Sequence, residues 1–559
     1  MIPQSKSITS ALGCVLLTSL TASAGPIKFS GNSAVDNQTL SAVTVSLKEG
    51  EKGLVPAAGG RSYQLHQIDA QKLSPEAIST ILKAISEVYQ ERGILATRAV
   101  VTTSGYKAML AGKPLEIKIV EGKISSVRIV GTEENQEVSE AKRTRISTAA
   151  PIGKGDTISA KELDGTVGMM NRFSRQQVRP VLVPEDGELV LEYRVKQLDE
   201  QVATLGIDNF GSERTGSERG TIDYSRWNTF TTDDRLNFKL LSSFKGNSGY
   251  VGADYMMPLD EVASSRLGFN AYYSNYTAED IGLSTPFGLD YEGHSYSLGV
   301  TWEKTFWNDQ GAYLDAILGL RYLSATQDQT SIGIPKATTG YLLPSVGVRY
   351  SKTTYKSSFV TGARLECNLP SLAGTDSGLE LSRQGRLFAD DSFVIGALYA
   401  NYRLYLDEWL TEEDGRKHEL QAASSLTTSF GSRLPPSFLN VAGGYHTVRG
   451  YPLGAASGDS SFLVKADYKY HFDEVSMGSV PVKFSTSVFS DFATVKNEDA
   501  LSFEQDDTLW SIGLGLDAVV NEDLRMALGY GVALRDITHS DDSVESGDGE
   551  FYFQVSYSF

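Results

Sequence analysis

Cysteine and histidine are scarce in this chain of 559 residues, with two of the former and six of the latter. The histidines stand at 66, 294, 418, 446, 471 and 539, with no HExxH and no CxxC, so no spacing suits a zinc or haem site. No metal or other cofactor is expected. Basic charge is also short. Against 69 Asp and Glu stand 51 Lys and Arg, a net charge of −18 that repels a phosphate backbone, and no Lys/Arg stripe overrides it. Nucleic acid is excluded as the expected partner. Also missing is a GxxxxGK[ST] loop, and with it the usual cradle for a nucleotide phosphate. No Ser, His and acid trio stands out, so no enzyme is expected.

Beyond the N-terminus there is no run of 18 apolar residues, the length a membrane-crossing helix needs. That leaves the closed β-barrel as the other way to satisfy every backbone group in lipid. Barrel strands alternate apolar-out and polar-in, which accords with a mean hydropathy of −0.20. The N-terminus itself reads as a secretory signal peptide over 1–24: Lys6, an apolar run from about Ile8 to Leu20, then Ala22-Ser23-Ala24. Cys14 raises a lipoprotein anchor as the alternative, but the apolar run continues past it. Cleavage after Ala24 removes Cys14 and leaves Cys367 as the sole thiol, so no intramolecular disulfide is possible.

Composition changes near residue 200. Residues 25–198 mix helical and extended patterns, with two units that read β-α-α-β-β. The first, 25–122, opens with IKFSGNSAV (27–35), passes a short helix near 37–46 and a Gly-rich insertion (49–60), and continues with a helix over 74–91. That helix has Ser74 as N-cap, Pro75 in its first turn, and Ile78, Ile81, Leu82, Ile85, Val88 and Tyr89 as its apolar stripe. Gly93 closes it. Strands over 95–103 and 115–122 complete the unit. The second unit, 123–198, has strands at 124–131, 178–183 and 189–195 and helices near 138–148 and 159–171. Such units present an exposed strand edge to which an extended polypeptide can add.

From 199 to 559 the chain is a succession of short alternating runs rich in Tyr, Phe and Gly, and sixteen can be counted. They start near 202, 219, 235, 249, 265, 291, 311, 340, 357, 391, 418, 461, 481, 509, 524 and 550. Connections at 259–264, 305–310 and 521–523 are short, whereas 277–290, 326–339, 369–390 and 431–460 are long, as in outer-membrane barrels. Faces agree. In 462–472, Phe462, Val464, Ala466, Tyr468, Tyr470 and Phe472 share one side, and Leu463, Lys465, Asp467, Lys469 and His471 the other. The last run places Phe551, Phe553, Val555, Tyr557 and Phe559 on a single face. A soluble β-sandwich would also alternate, but sixteen hairpin-linked strands behind a signal peptide favour a barrel. The fold class is therefore an all-β transmembrane barrel of 16 antiparallel strands preceded by two small α+β domains.

YQERGILATRAVVTT and LEIKIVEGKI in the first unit, IDNFGSERTGSERG (207–220), YMMPL (255–259), TVRGYPLG (447–454) and FSDF (489–492) carry a specific likeness. The chain resembles the two-partner-secretion outer-membrane transporters, the haemolysin secretion/activation family, whose small units are POTRA domains. The likeness implies that Val448, Arg449, Gly450 and Tyr451 lie on a loop folded back into the lumen, with Phe489 and Asp491 as the partner motif on the barrel wall. Alternation along 482–492 turns Asp491 inward, and a guanidinium can meet that carboxylate through two parallel hydrogen bonds. Gly450 supplies backbone freedom, and Tyr451 is expected to pack its ring on the wall with the hydroxyl solvated.

By the same resemblance the function is secretion of a large unfolded client protein through the barrel without nucleotide hydrolysis. Ala99, Val101 and Thr103 on the 95–103 strand, beside the 74–91 helix, are the candidate client-binding residues. Further implied partners are outer-membrane lipid and the barrel-assembly machinery, the latter reading Phe553, Val555, Tyr557 and Phe559 as a C-terminal signal. The protein is expected to be a monomer in the outer membrane of a Gram-negative envelope with its POTRA domains in the periplasm. No pore-plugging N-terminal helix is expected, since the first strand starts within a few residues of the cleavage site. Two alternatives remain open: an outer-membrane protein insertase, which usually carries three to five such units, and a passive porin-like channel. GLGLDA (513–518) approximates a dinucleotide fingerprint but sits in an alternating strand, and the acidic HSDDSVESGDGE (539–550) lacks EF-hand spacing.

Overall fold

The computed structural model describes residues 26–51, 53–132, 137–186, 188–278, 291–329, 333–411, 415–538 and 543–559. The signal peptide, most of the 277–290 connection and the start of the acidic 539–550 stretch lie outside these residues. The chain forms two compact units: residues up to Arg128 with Pro151–Leu163 and Leu182–Leu191, and Ile129–Ala150 with Asp164–Val181 and Glu192–Phe559.

The N-terminal elements are β1 (Ile27–Ser30), α1 (Asn37–Ser41), β2 (Thr44–Gly50), β3 (Gly53–Pro56), β4 (Arg61–Gln64), α2 (Pro75–Glu91), β5 (Ile94–Leu95), β6 (Thr97–Val100), α3 (Thr103–Leu110) and β7 (Leu115–Glu121). The caps act as read from sequence: Ser74 Oγ accepts the Ala77 N–H at 3.1 Å, and Gly93 takes a φ of +73° after the last turn. The stripe Ile78, Ile81, Ile85 and Tyr89 is buried in one core with Leu115, Ile117 and Ile119 of β7. Each such side chain contributes about 1.5–3 kcal/mol by leaving water.

Two expectations need correction here. The helix expected near 37–46 ends at Ser41, and from Thr44 the chain forms an antiparallel sheet, β3-β2-β4, that takes in the Gly-rich insertion, with Val45, Leu47 and Leu54 in the core. The proposed 95–103 strand breaks at Ala96, which has a φ of +57°, and stops at Val100. Thr102 then caps α3 by accepting the Gly105 N–H at 3.0 Å, so Thr103 begins a helix and is not a strand-edge residue.

Glu121, at the end of β7, ties this strand to the β1–α1 loop. It accepts the Ala34 N–H at 2.8 Å and the Tyr89 hydroxyl at 3.1 Å, and also the Ser33 hydroxyl. Burial pushes its carboxyl up, but these hydrogen bonds outweigh that and hold it below the usual value. A depressed carboxylate stabilises the fold above its unfolded pKa and loses that contribution as pH falls through the folded one. The lowest-temperature calorimetric transition of the full chain should therefore drop on acidification below about pH 4.3. Glu121→Gln should lower that transition at pH 7 and remove its acid dependence. An unchanged acid dependence in the variant would dismiss Glu121 as its source.

Next come β8 (Ile124–Gly131), α4 (Glu140–Ala149), β9 (Ile158–Ser159), α5 (Ala160–Arg172), β10 (Gln176–Glu185) and β11 (Glu188–Gln197). The large strands form a sheet in the order β10-β11-β8, and little β9 pairs with β5.

The barrel begins with β12 (Gln201–Asp208), β13 (Arg219–Trp227), β14 (Arg235–Ser243), β15 (Ser248–Pro258) and β16 (Ser265–Ala278). It continues with β17 (Tyr291–Asp309), β18 (Ala312–Gln329), β19 (Ile334–Thr353), β20 (Ser357–Cys367), two short helices α6 (Pro370–Ala373) and α7 (Gly378–Ser382), and β21 (Val394–Tyr405). A helical turn, α8 (Asp407–Leu410), leads to β22 (His418–Thr428). A small hairpin, β23 (Asn440–Ala442) and β24 (Ala456–Gly458), lies within the next connection, before β25 (Ser460–His471). The remaining strands are β26 (Val475–Met477), β27 (Val480–Lys496), β28 (Asp507–Val520), β29 (Leu524–Ala533) and β30 (Gly549–Ser558).

Leaving aside the hairpin and the short β26, sixteen strands pair antiparallel with their neighbours. The ring closes where β12 meets β30, from Thr204 opposite Ser558 to Asp208 opposite Gln554. Fourteen of the sixteen expected starts fall close to the observed ones; β19 starts at Ile334 where 340 was expected, and β21 at Val394 where 391 was expected. The 326–339 connection is therefore short, because β18 and β19 keep pairing out to Gln329 and Ile334. Side chains alternate as expected. On β27, Ser485, Ser487, Phe489 and Asp491 are buried inside, while Val488 is exposed on the outer face. On β30, Phe551, Val555, Tyr557 and Phe559 are exposed and Phe553 half-buried on that same outer face.

Candidate functional site

The connection from β22 to β25, residues 429–459, folds inward and places its tip on the inner wall. The tip is cinched by the Gly444 N–H donating to Tyr451 O at 2.9 Å and by Thr447 Oγ donating to Gly443 O at 2.6 Å. Arg449 projects from it. Its Nε and Nη2 each donate at 2.7 Å to the carboxylate of Asp491, and its backbone N–H adds a third bond at 3.0 Å. The expected pair is thus present and bidentate.

A second carboxylate joins it. Asp467 of β25 accepts Nη1 at 2.8 Å and Nη2 at 3.0 Å. The register explains the cage: Asp467 stands opposite Phe489 and Lys465 opposite Asp491, so both acids and the Phe489 ring share the inner face. The guanidinium carbon lies 3.5 Å from the centre of that ring, a cation–π contact. Asp491 is fully buried and the Arg449 side chain 11 % exposed, which makes this a desolvated cluster rather than a surface pair.

The rest of the tip is held by the wall. Gly450 has a φ of +94°, and a Cβ there would lie 2.8 Å from the backbone of Gly531 and Val532. Its N–H donates at 2.9 Å to the Tyr552 hydroxyl, which donates in turn to Tyr451 O at 3.2 Å. Tyr451 corrects an expectation, since its hydroxyl is not solvated. It lies 3.0 Å from Trp510 O and 2.9 Å from Arg535 O and accepts both N–H groups, because the ring is buried where β28 begins and β29 ends. Val448 is buried alongside.

Sequence reasoning missed four contributors. Besides Asp467 and Tyr552, Phe210 in the IDNFG segment stacks on Tyr445 of the tip with centroids 3.8 Å apart, and Lys465 Nζ donates to Tyr445 O at 2.9 Å. Alternation had already turned Asp467 and Lys465 inward, which was the available signal. GLGLDA also acquires a meaning: a Cβ on Gly513 would lie 2.3 Å from the Phe489 ring, so this glycine makes room for the aromatic under Arg449.

The client-binding candidates separate. Ala99 sits on β6, an edge strand of the sheet β1-β7-β6, whereas Val101 follows that strand and Thr103 belongs to α3. Among the described residues no group of His, Cys, Asp and Glu could hold a metal ion.

A lumenal loop closed on its wall by an Arg–Asp cage in a sixteen-stranded barrel narrows the comparison. The family model of the haemolysin secretion/activation proteins ShlB/FhaC/HecB matches residues 187–518. The chain belongs to this family. Among its relatives, the heme/hemopexin transporter protein HuxB of Haemophilus influenzae strain 86-028NP is 23 % identical over 482 residues, covering 80 % of this chain and 75 % of the relative. The outer membrane transporter CdiB-2 of Burkholderia pseudomallei strain 1026b is 24 % identical over 206 residues, 36 % of this chain and 31 % of that one. The fold is shared with CdiB from Escherichia coli at a TM-score of 0.68 and 15 % identity, covering 96 % of this chain and 90 % of the other. The chain is an outer-membrane two-partner-secretion transporter.

Proposed function

We propose that this transporter exports one large client polypeptide, captured unfolded on the β6 edge around Ala99 and passed through the barrel when the Arg449 loop leaves its seat. The single observation that carries this reading is the seating of that loop: a lumenal obstruction held by a few directed bonds can be displaced without dismantling the barrel. An edge strand supports the capture step, since its unpaired N–H and C=O groups add an extended segment independently of sequence. The chain's own chemistry supplies no nucleotide-driven step, so folding of the client outside the cell provides the direction. The apolar outer face of β30 serves lipid and, through Phe553, Val555, Tyr557 and Phe559, the assembly machinery. One copy suffices, and its role is transport rather than catalysis.

Deleting the gene and comparing culture supernatant and surface proteins by quantitative mass spectrometry tests this. Loss of one large secreted protein is the expected result. A broad fall in barrel proteins would replace it with the insertase reading, and no change in either fraction would favour the passive channel.

A further inference from the structure

The connection between β20 and β21, residues 368–393, does more than join them. These strands pair along their whole length and a short hairpin would connect them, yet the segment reaches far to both sides. On one side Leu381, Ala389 and Phe393 pack into a cluster with Leu323 of β18, Tyr341 and Leu343 of β19, and Leu434 of the 429–459 loop. On the other, Arg386 donates to Asp459 at the foot of β25 through Nη1 at 2.5 Å and Nη2 at 2.8 Å, and to Glu504, between β27 and β28, through Nε at 3.1 Å. The segment thus bridges from the seventh and eighth barrel strands to the twelfth through fourteenth.

Arg433 completes the cluster. It donates to Glu504 at 2.7 and 2.8 Å and to Leu387 O at 2.8 Å, while its own N–H donates to Asp390 at 2.8 Å. Asp459 also accepts the Leu434 N–H at 2.6 Å and the Glu498 N–H at 2.8 Å. Two guanidinium groups and two carboxylates balance in charge. Arg386, Arg433 and Asp459 are buried, the last completely. Residues 433 and 459 are the two feet of the loop whose tip carries Arg449, and this cluster shares no residue with the cage around that tip.

We propose that Arg386, Arg433, Asp459 and Glu504 form a latch that holds the 368–393 segment closed across the extracellular mouth and anchors the lumenal loop at its feet, independently of the Arg449 cage at its tip. The inference rests on the reading of the barrel as a polypeptide conduit. Opening then requires two releases, one at the tip and one at the surface. Burial works to raise the Glu504 carboxyl, but its bonds from Arg433, Leu501 and Arg386 hold it down at about 2, so ordinary acidification of the medium does not undo the latch.

The test is single-channel recording of the full-length protein in planar bilayers without client, which separates failure of the latch from failure of the export reading. Arg386→Ala should raise open probability at least ~10-fold, a change of about 1.4 kcal/mol in the closed–open equilibrium. Arg386→Ala/Arg449→Ala should exceed either single variant by the product of their effects. Heat-modifiable migration in gels reports barrel assembly, and Glu504→Gln, which keeps the side-chain shape, replaces Arg386→Ala if that variant does not assemble. Wild-type gating in an assembled latch variant would overturn the proposal. So would an Arg386→Ala effect that vanishes in the Arg449→Ala background, since the two sites would then be one device.

Discussion

Arg449→Ala should leave the barrel assembled and heat-modifiable while cutting client export at least ~10-fold, because removing one partner of a buried ion pair costs about 3–5 kcal/mol. The variant strands two inward carboxylates, one of them fully buried, and deletes four side-chain hydrogen bonds together with the contact over Phe489. The tip keeps its backbone ties to Tyr552 and its Tyr451 anchor, so it loosens rather than unfolds. The two acids should not be equivalent. Asp491 takes three bonds including the Arg449 N–H, and Asp467 takes two, so Asp491→Asn should impair export more than Asp467→Asn. Full secretion by an assembled Arg449→Ala barrel would show that the seated loop has no part in transport.

The second large effect is expected from a residue with no charge. A Cβ on Gly531 of β29 would lie 2.6 Å from the Gly450 nitrogen and 2.8 Å from the Arg449 carbonyl carbon, both backbone atoms that cannot swing aside. Gly531→Val should therefore lift the tip from the wall with Arg449, Asp467 and Asp491 all intact, and overpacking of this kind costs about 1–3 kcal/mol. Export should fall as in Arg449→Ala, and hydrogen exchange across 444–453 should accelerate. Normal exchange protection together with normal export would mean that the wall tolerates the added methyls and that close approach at this glycine does not seat the loop. Reading Gly531→Val beside Arg449→Ala separates geometry from charge, since only the latter removes the bonds.

Comparing particular elements shows what kind of information a sequence carries. The strands of the barrel were legible because one face meets lipid and the other water, which imposes a period of two on nearly every run. Asp491 could be turned inward on that basis alone, and α2 announced itself through Ser74, Pro75 and a stripe at helical spacing. Failures came where local signals conflicted or where no solvent boundary acted. Val101 and Thr102 favour strand, yet Thr102 turns its hydroxyl onto the Gly105 N–H and starts α3. The polar 334–339 segment shows no apolar face because its pairing with β18 continues past the alternating run, so its strand was shortened. The stretch from Thr44 through the Gly-rich insertion hid a sheet of three short strands with few apolar residues.

The two-sided strands, the count of sixteen and the inward face of Asp491 were determined by the sequence itself, since each follows from periodicities within short windows, whereas the meeting of Arg449 with Asp491 was implied by the family resemblance. The second carboxylate on Arg449, the glycine floor beneath Gly450, the bonded hydroxyl of Tyr451 and the latch at the mouth were decided only by tertiary structure. Each joins residues 18 to 118 positions apart, through the stagger of neighbouring strands and the path of two long connections. Periodicity says which way a side chain points; what it meets there depends on register and on loops whose course local rules do not prescribe.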